Sequence, residues 1–128
     1  MQVNATFISN LNILDKMYVF EEDNIVKGFM TIGDCRDDDK NNDTFELQGL
    51  YIDPIFQRKG IGTQFVKKCI DEARINSKKE ITLWVFEKNH NSIEFYRKMG
   101  FEPDGKIMFK ENVQNNAVRM KMVLGREQ

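Results

Sequence analysis

The segment that decides the fold reads Leu50-Tyr51-Ile52-Asp53-Pro54-Ile55-Phe56-Gln57-Arg58-Lys59-Gly60-Ile61-Gly62. Its first residues end an apolar, β-branched and aromatic run over Phe45–Ile52. Asp53-Pro54 ends this run because proline donates no hydrogen bond to a sheet. From Ile61 onward, apolar residues recur at helical spacing. The segment therefore predicts a buried strand, a basic turn with two glycines and an amphipathic helix.

The turn before this helix has the composition of an anion-binding site. The first N–H groups of a helix have no helical partner and carry partial positive charge. Gly60 and Gly62 lack the Cβ atoms that would keep an anion away, while Arg58 and Lys59 add full positive charges. These features favour a phosphate or a pyrophosphate, although a glycine turn with solvated charges would have the same sequence.

Five further strands and a second helix are predicted on either side of this segment. The strands are predicted at Met17–Phe20, Ile25–Ile32, Ile81–Phe86, Gly105–Val113 and Ala117–Leu124. The first two form a hairpin and the last two form another. The second helix has its predicted cap at Asn91-Ser92-Ile93-Glu94 and ends near Met99-Gly100. The element order is β-β-β-α-β-α-β-β, with a parallel β-α-β crossover in its middle.

Composition limits the class of protein. The chain has 128 residues, which predicts one α/β domain over residues 1–128. Hydrophobic residues make up 41% and charged residues 30%, and these values exclude a disordered chain. The formal net charge of -1 gives no general attraction to nucleic acid or to a membrane surface. Two cysteines are too few for a disulfide scaffold, so a cytoplasmic location is expected.

Two motifs resemble those of one protein family. Gln57-x-x-Gly60-x-Gly62 after a buried strand resembles the acetyl-CoA pyrophosphate motif of the GNAT acetyltransferase superfamily. The family's second signature is matched by Asn89, by Ser92 three residues later and by Tyr96 seven residues later, followed by Gly100-Phe101. The resemblance implies a mixed, mostly antiparallel sheet flanked by helices, with central parallel strands that splay apart.

The resemblance also implies a co-substrate and a set of residues that bind it. Acetyl-CoA is the implied co-substrate, and the pantetheine arm is expected to bond to the backbone of the splayed strand. The residues expected to bind the cofactor are Leu50, Tyr51, Ile52, Gln57, Arg58, Lys59, Gly60, Ile61, Gly62, Thr63, Asn89, Ser92 and Tyr96. No metal is expected, because His90 is the only histidine and a multi-histidine site is therefore excluded.

Three residues are expected to act in catalysis. The Leu50 N–H matches the group that stabilises the oxyanion in the family. Tyr96 matches the family's usual acid for the departing thiolate; a core tyrosine is the alternative, because Ile93, Tyr96 and Met99 share a helical face. Glu46 lies where some members carry a basic glutamate, and burial would raise its pKa toward that of a useful base. A solvent-facing or lysine-paired Glu46, with a water chain as the base, is the alternative.

These residues predict an N-acetyltransferase that acts on a primary amine of a small molecule or a peptide. The alternative is a catalytically silent acetyl-CoA-binding sensor or interaction module. Lys59-Gly60-Ile61-Gly62-Thr63-Gln64-Phe65-Val66 also resembles part of an RNA-recognition motif, but helical spacing continues to Ala73 and the net charge is not basic. Asp34–Asp43 has a net charge of -3, which predicts an exposed, unpacked loop and suggests a cationic acceptor.

The start of the chain departs from the family pattern. GNAT domains normally open with a strand and two helices before the first predicted hairpin, and only about 16 residues precede that hairpin here. The opening strand and helices are therefore expected to be missing. A truncated chain, a misplaced start, or a variant that borrows the missing cover from a partner subunit would each explain this. A homodimer is thus left open.

Overall fold

The computed structural model describes residues 3–6 and 15–125 of the chain. Its elements are β1 (Val3–Thr6), β2 (Lys16–Glu22), β3 (Ile25–Asp34), β4 (Thr44–Ile52), α1 (Ile61–Ile75), β5 (Glu80–Phe86), α2 (His90–Met99), β6 (Glu102–Lys110) and β7 (Asn115–Val123). The strands pair into one sheet in the order β1-β2-β3-β4-β5-β7-β6. β4 and β5 are parallel, and the other neighbours are antiparallel. The predicted fold class is confirmed.

The core lies between α1 and one face of the sheet. Phe65, Val66 and Cys69 on α1 are fully buried, as their helical spacing predicts. They join apolar residues of four strands: Tyr18, Phe20, Met30, Ile32, Phe45, Leu47, Ile81, Leu83 and Val85. Burial of these side chains is the main force that holds α1 on the sheet. Neither described helix is long and apolar enough to cross a membrane.

The parallel strands β4 and β5 part soon after they begin. Only three residue pairs join them, from Thr44 opposite Glu80 to Glu46 opposite Thr82. On its other side, β4 has a register shift against β3 that leaves Gln48 without an opposite residue. A bulge of this kind bends a strand and increases its local twist. The predicted splay is therefore confirmed, and the edge of β4 that faces β5 is unpaired beyond Glu46.

The two predicted hairpins are confirmed with small changes at their ends. Asp23 and Asn24 form the turn between β2 and β3 with φ of 56° and 64°, the left-handed conformation that two-residue hairpin turns favour. β6 begins at Glu102, earlier than the predicted Gly105. Pro103 is accommodated there because β6 is an edge strand of the sheet.

The N-terminal strand was predicted to be missing, and that prediction is wrong. β1 pairs antiparallel with β2, from Val3 opposite Phe20 to Thr6 opposite Met17. The short polar and apolar run at residues 3–6 has no clear strand pattern, which is why the sequence did not reveal it. The prediction that two helices are missing falls on residues 7–14, which lie outside the described residues.

The acidic segment Asp34–Asp43 was predicted to be an exposed, unpacked loop, and this is also wrong in part. Asp34 ends β3, so the acidic loop comprises residues 35–43. Cys35 is buried. Asp37 and Asp39 both accept hydrogen bonds from Arg119 of β7. The carboxylates of this loop are therefore partly neutralised within the protein, and their negative charge is not freely available to a ligand.

Candidate active site

The turn between β4 and α1 is shaped by its own polar side chains. Asp53 accepts a hydrogen bond from the Ile55 N–H at 3.0 Å, which caps a short 3-10 turn. Gln57 donates from Nε2 to the Ile52 carbonyl oxygen at 3.2 Å. Gly60 is the N-cap of α1 with φ of 84°, a left-handed conformation that costs glycine little. The chain thereby leaves β4 and enters α1 with the helix N-terminus at the surface.

A cavity of about 460 Å³ lies at this helix start, and we call it the helix-start cavity. It is lined by Leu50, Ile52, Gln57, Arg58, Gly60, Gly62, Thr63, Asn91, Ser92, Phe95 and Tyr96. Nine of these eleven residues were predicted to bind a cofactor. Asn91 and Phe95 were missed, although they lie one residue before Ser92 and Tyr96 on the same helix. The free N–H groups of the first turn of α1 give this cavity a positive potential.

Four of the predicted cofactor-binding residues do not line this cavity. The Tyr51 ring lies 5.5 Å from that of Phe29 and is half exposed. Ile61 is buried in the core, and Lys59 is exposed. Asn89 lines the neighbouring cavity instead. For Lys59 and Ile61 the predicted role concerns the backbone N–H, so it remains a prediction.

The two glycines of the turn have different structural roles. A Cβ atom at Gly60 would have no other atom within 4 Å, so this position opens onto free space. A Cβ atom at Gly62 would lie 3.1 Å from Phe95 Cζ and 3.3 Å from Ile52 Cδ1. Gly62 thus permits close packing of α1 against α2 and β4. Only Gly60 has the open surroundings that close approach of an anion requires.

A second cavity, of about 240 Å³, opens where β4 and β5 part, and we call it the cleft cavity. It is lined by Leu47, Gln48, Gly49, Leu50, Trp84, Val85, Phe86, Asn89, Ser92, Tyr96, Lys110 and Ala117. Leu50, Ser92 and Tyr96 line both cavities. The two cavities therefore adjoin at these residues and form one path from the start of α1 to the space between the splayed strands.

Tyr96 combines a place in the core with a place at the junction of the cavities. Only 8% of the residue is exposed, and its ring meets that of Phe101 edge-on with centroids 5.9 Å apart. Burial raises the pKa of Tyr96 to about 12. The phenol is therefore neutral at physiological pH, which is the form that can donate a proton or a hydrogen bond.

Glu46 lies at the last residue pair between β4 and β5. It is half-buried and lines neither cavity. Burial first, and the neighbouring charge of Asp37 second, raise the pKa of this carboxyl group. Its carboxylate lies within 4.8 Å of the Cys35 thiol and the Asp37 carboxylate. Asp37 is already bound by Arg119, and Thr82 donates to Cys35 at 3.4 Å, so these groups form an internal polar network.

Asn89 is the N-cap of α2, and the predicted cap at Asn91 is wrong. The Asn89 side chain accepts a hydrogen bond from the Ser92 N–H at 3.2 Å. Asn91-x-x-Glu94 has the spacing of a capping box, and the sequence therefore predicted the cap two residues too late. This cap uses the side-chain oxygen of Asn89, and the residue also lines the cleft cavity.

Comparison with known proteins identifies the family. The model of the acetyltransferase (GNAT) family matches residues 6–101. An uncharacterized N-acetyltransferase of Methanocaldococcus jannaschii is 32% identical over 90 residues, which cover 69% of this chain and 39% of that protein. The L-amino acid N-acyltransferase MnaT of Escherichia coli is 32% identical over 83 residues, covering 65% of this chain and 48% of that protein.

A solved structure matches the fold as well. The structure of a GNAT family acetyltransferase from Elizabethkingia anophelis with acetyl-CoA bound has a TM-score of 0.68 and 18% identity, and the match covers 86% of this chain and 76% of that chain. The chain spans less than half the length of the two curated relatives named above. The family model nevertheless covers both signatures, the splayed strands and both helices. This chain belongs to the GNAT acetyltransferase family.

Proposed function

We propose that this chain transfers the acetyl group of acetyl-CoA to a primary amine of a small molecule or a peptide. The observation that carries the proposal is the position of Tyr96, which lines both the helix-start cavity and the cleft cavity. A thioester bound across both cavities would place its sulfur near this phenol. The acyltransferase names of the relatives and the acetyl-CoA complex of the structural neighbour support the same chemistry.

The helix-start cavity suits the diphosphate of coenzyme A. The amides that begin α1 point partial positive charge toward it, Arg58 adds a full charge, and Gly60 leaves open space. The pantetheine arm then bonds to the unpaired edge of β4 beyond Glu46, as an added strand would. Asn89, which lines the cleft cavity, contributes its amide nitrogen at the far end of this path.

Leu50, Glu46 and Tyr96 divide the steps of transfer among them. Acetyl-CoA supplies a thioester whose carbonyl carbon bonds to the neutral amine while its C–S bond breaks. The Leu50 N–H donates to the carbonyl oxygen as negative charge develops there. Glu46 accepts the proton that the amine loses, through a chain of water molecules, because its side chain does not line the cleft. Tyr96 gives a proton to the departing sulfur and regains one through solvent.

The test is a steady-state assay of thiol release from acetyl-CoA with a panel of amines. The panel contains an amino acid (L-methionine), a polyamine (spermidine) and a peptide with an N-terminal alanine, so that it separates anionic, cationic and peptide acceptors. Thiol release that requires one of these amines supports the proposal. Binding of acetyl-CoA with no thiol release for any amine would favour the catalytically silent sensor.

A further inference from the structure

We propose that Arg119 is a positioning residue, which holds the acidic loop and the indole of Trp84 in place at the wall of the cleft cavity and so sets the affinity for the acceptor amine. This inference rests on the proposed function. We call Arg119 and its three carboxylate partners the Arg119 cluster; the partners are Asp37, Asp39 and Asp104.

The guanidinium of Arg119 is surrounded by its partners. Its side chain is only 4% exposed. Nε donates to Asp104 at 2.7 Å. Nη1 donates to Asp37 at 3.0 Å and to Asp39 at 2.8 Å. Nη2 donates to the second oxygen of Asp39 at 2.6 Å, so Asp39 is bound by both nitrogens, as a planar fork allows. The cluster joins the acidic loop to β6 and β7.

Trp84 is held by the same cluster. It lies directly opposite Arg119 in the β5–β7 pairing, and the guanidinium carbon is 5.7 Å from its ring centroid. Its Nε1 donates to Asp37 at 3.1 Å, to the same oxygen that accepts from Arg119. The orientation of the indole is therefore fixed from two sides, by Arg119 itself and by Asp37, which Arg119 binds.

The indole in turn forms part of the wall of the cleft cavity, which Tyr96 also lines. An amine that attacks beside Tyr96 from within this cavity would lie against this wall. The diphosphate features of the helix-start cavity lie in the turn before α1 and at its first residues, and they contain no member of the cluster. Loosening the cluster should therefore change the binding of the acceptor more than the binding of acetyl-CoA, whose diphosphate lies outside the cleft cavity in the proposed function.

The ion pairs of the cluster also change the role expected for the acidic loop. Arg119 holds the pKa of Asp39 well below its usual range, so this carboxylate is ionised and committed to the guanidinium. Two of the loop's carboxylates thus serve to fix the loop. The cluster supports a geometric role for the loop in acceptor binding instead of the direct attraction of a cation.

The test uses Asp39→Asn, because removing Arg119 would leave the buried Asp104 unpaired and endanger folding. The Asp39 side chain is 41% exposed, so its variant should fold. Asp38→Asn is the matched control, since it removes the same charge from the neighbouring exposed residue. Trp84 is the only tryptophan, so its fluorescence reports the position of this one side chain.

Asp39→Asn is expected to raise the acceptor KM about five- to tenfold, because small misplacements of binding groups have large effects on turnover. The acceptor is the fastest amine of the panel above. Acrylamide quenching of Trp84 should increase, while the Kd for acetyl-CoA should stay within about twofold. Asp38→Asn should match the wild type in all three measurements.

Three results, obtained with a wild type that acetylates an amine, would overturn the inference by itself. The first is an unchanged acceptor KM in Asp39→Asn, even with a lower Tm, because the cluster would then be structural only. The second is an equal loss of acetyl-CoA affinity. The third is an equal change in Asp38→Asn. If the wild type binds acetyl-CoA but acetylates no amine, the proposed function fails and the inference fails with it, which is a distinct outcome from turnover with unchanged KM.

Discussion

Tyr96 meets two requirements that are often separate. Its ring packs in the core against Phe101, and the residue also lines both cavities. The two interpretations that the sequence left open, a core tyrosine and an acid, are therefore compatible. Packing fixes the ring, and a fixed ring gives the hydroxyl a fixed position relative to a bound thioester.

Tyr96→Phe separates these two contributions, because phenylalanine keeps the ring and loses only the hydroxyl. We expect kcat to fall about 100-fold or more, as is typical when a general acid is removed. The Tm and the Kd for acetyl-CoA should change little. Stopped assays of thiol release and a calorimetric titration measure these quantities. Equal losses in kcat and in acetyl-CoA affinity would contradict the acid role.

We expect Glu46 to lower the stability of the folded chain at neutral pH while it supports catalytic activity. Its raised pKa means that the folded chain binds its proton more tightly than the unfolded chain does. The contribution of Glu46 to stability is thus present at low pH and is lost as pH rises through the raised pKa. Glu46→Gln lacks this loss, so it should be more stable than the wild type at pH 7, with the difference shrinking toward pH 4.

The same variant should be slower, because glutamine cannot accept the proton from the amine. We expect kcat to fall about 100-fold at pH 7. Denaturant unfolding at pH 7 and at pH 4 tests the expected change in stability. The assay of thiol release tests the expected fall in kcat. A variant that is no more stable at pH 7 would contradict the burial argument, and one with full activity would assign the base to water alone.

The start of α1 shows how one short element carries two different glycine functions. Gly62 is required by packing against Phe95 and Ile52, whereas Gly60 needs a left-handed conformation and opens onto free space. The sequence predicted the turn, the helix and the anion site. It could not assign the two glycines, because the atoms that crowd Gly62 come from α2 and β4, which are distant in the chain.

The start of α2 offers a parallel test through Asn89. Its side-chain oxygen caps the helix, and its nitrogen is the group proposed to bind the cofactor. Asn89→Asp keeps a capping oxygen and should keep the Tm, whereas Asn89→Ala should lose about 1 kcal/mol of stability. Both variants lack the amide nitrogen, so both should weaken acetyl-CoA binding.

Thermal unfolding and titration of the two Asn89 variants measure these effects side by side. If Asn89→Asp bound acetyl-CoA as tightly as the wild type, the nitrogen would have no role in cofactor binding. If Asn89→Ala were as stable as the wild type, the cap would contribute nothing to α2.

Across the whole molecule, local patterns were predictable and distant contacts were not. Six of the seven described strands, both helices and the splay follow from apolar spacing and from the family motifs. The docking of the acidic loop escaped prediction because Asp39 and Arg119 are 80 residues apart, and ion pairs at that distance leave no local pattern. β1 escaped because its four residues have no strand signature and form a strand only by pairing with β2.

The proposed function has one central requirement: the turn before α1 and the parted strands must together bind acetyl-CoA. Gly60 gives a matched pair of variants for this requirement, because aspartate and asparagine both tolerate a left-handed backbone and differ mainly in charge. Negative charge at this position should repel a diphosphate, while asparagine adds nearly the same bulk without the charge.

The most direct measurement is a calorimetric titration of acetyl-CoA into the wild type, Gly60→Asp and Gly60→Asn. The account predicts saturable binding to the wild type and an affinity for Gly60→Asp at least about tenfold below that for Gly60→Asn, which corresponds to about 1.4 kcal/mol. No measurable binding of acetyl-CoA to the wild type, or equal affinities for the two variants, would contradict it.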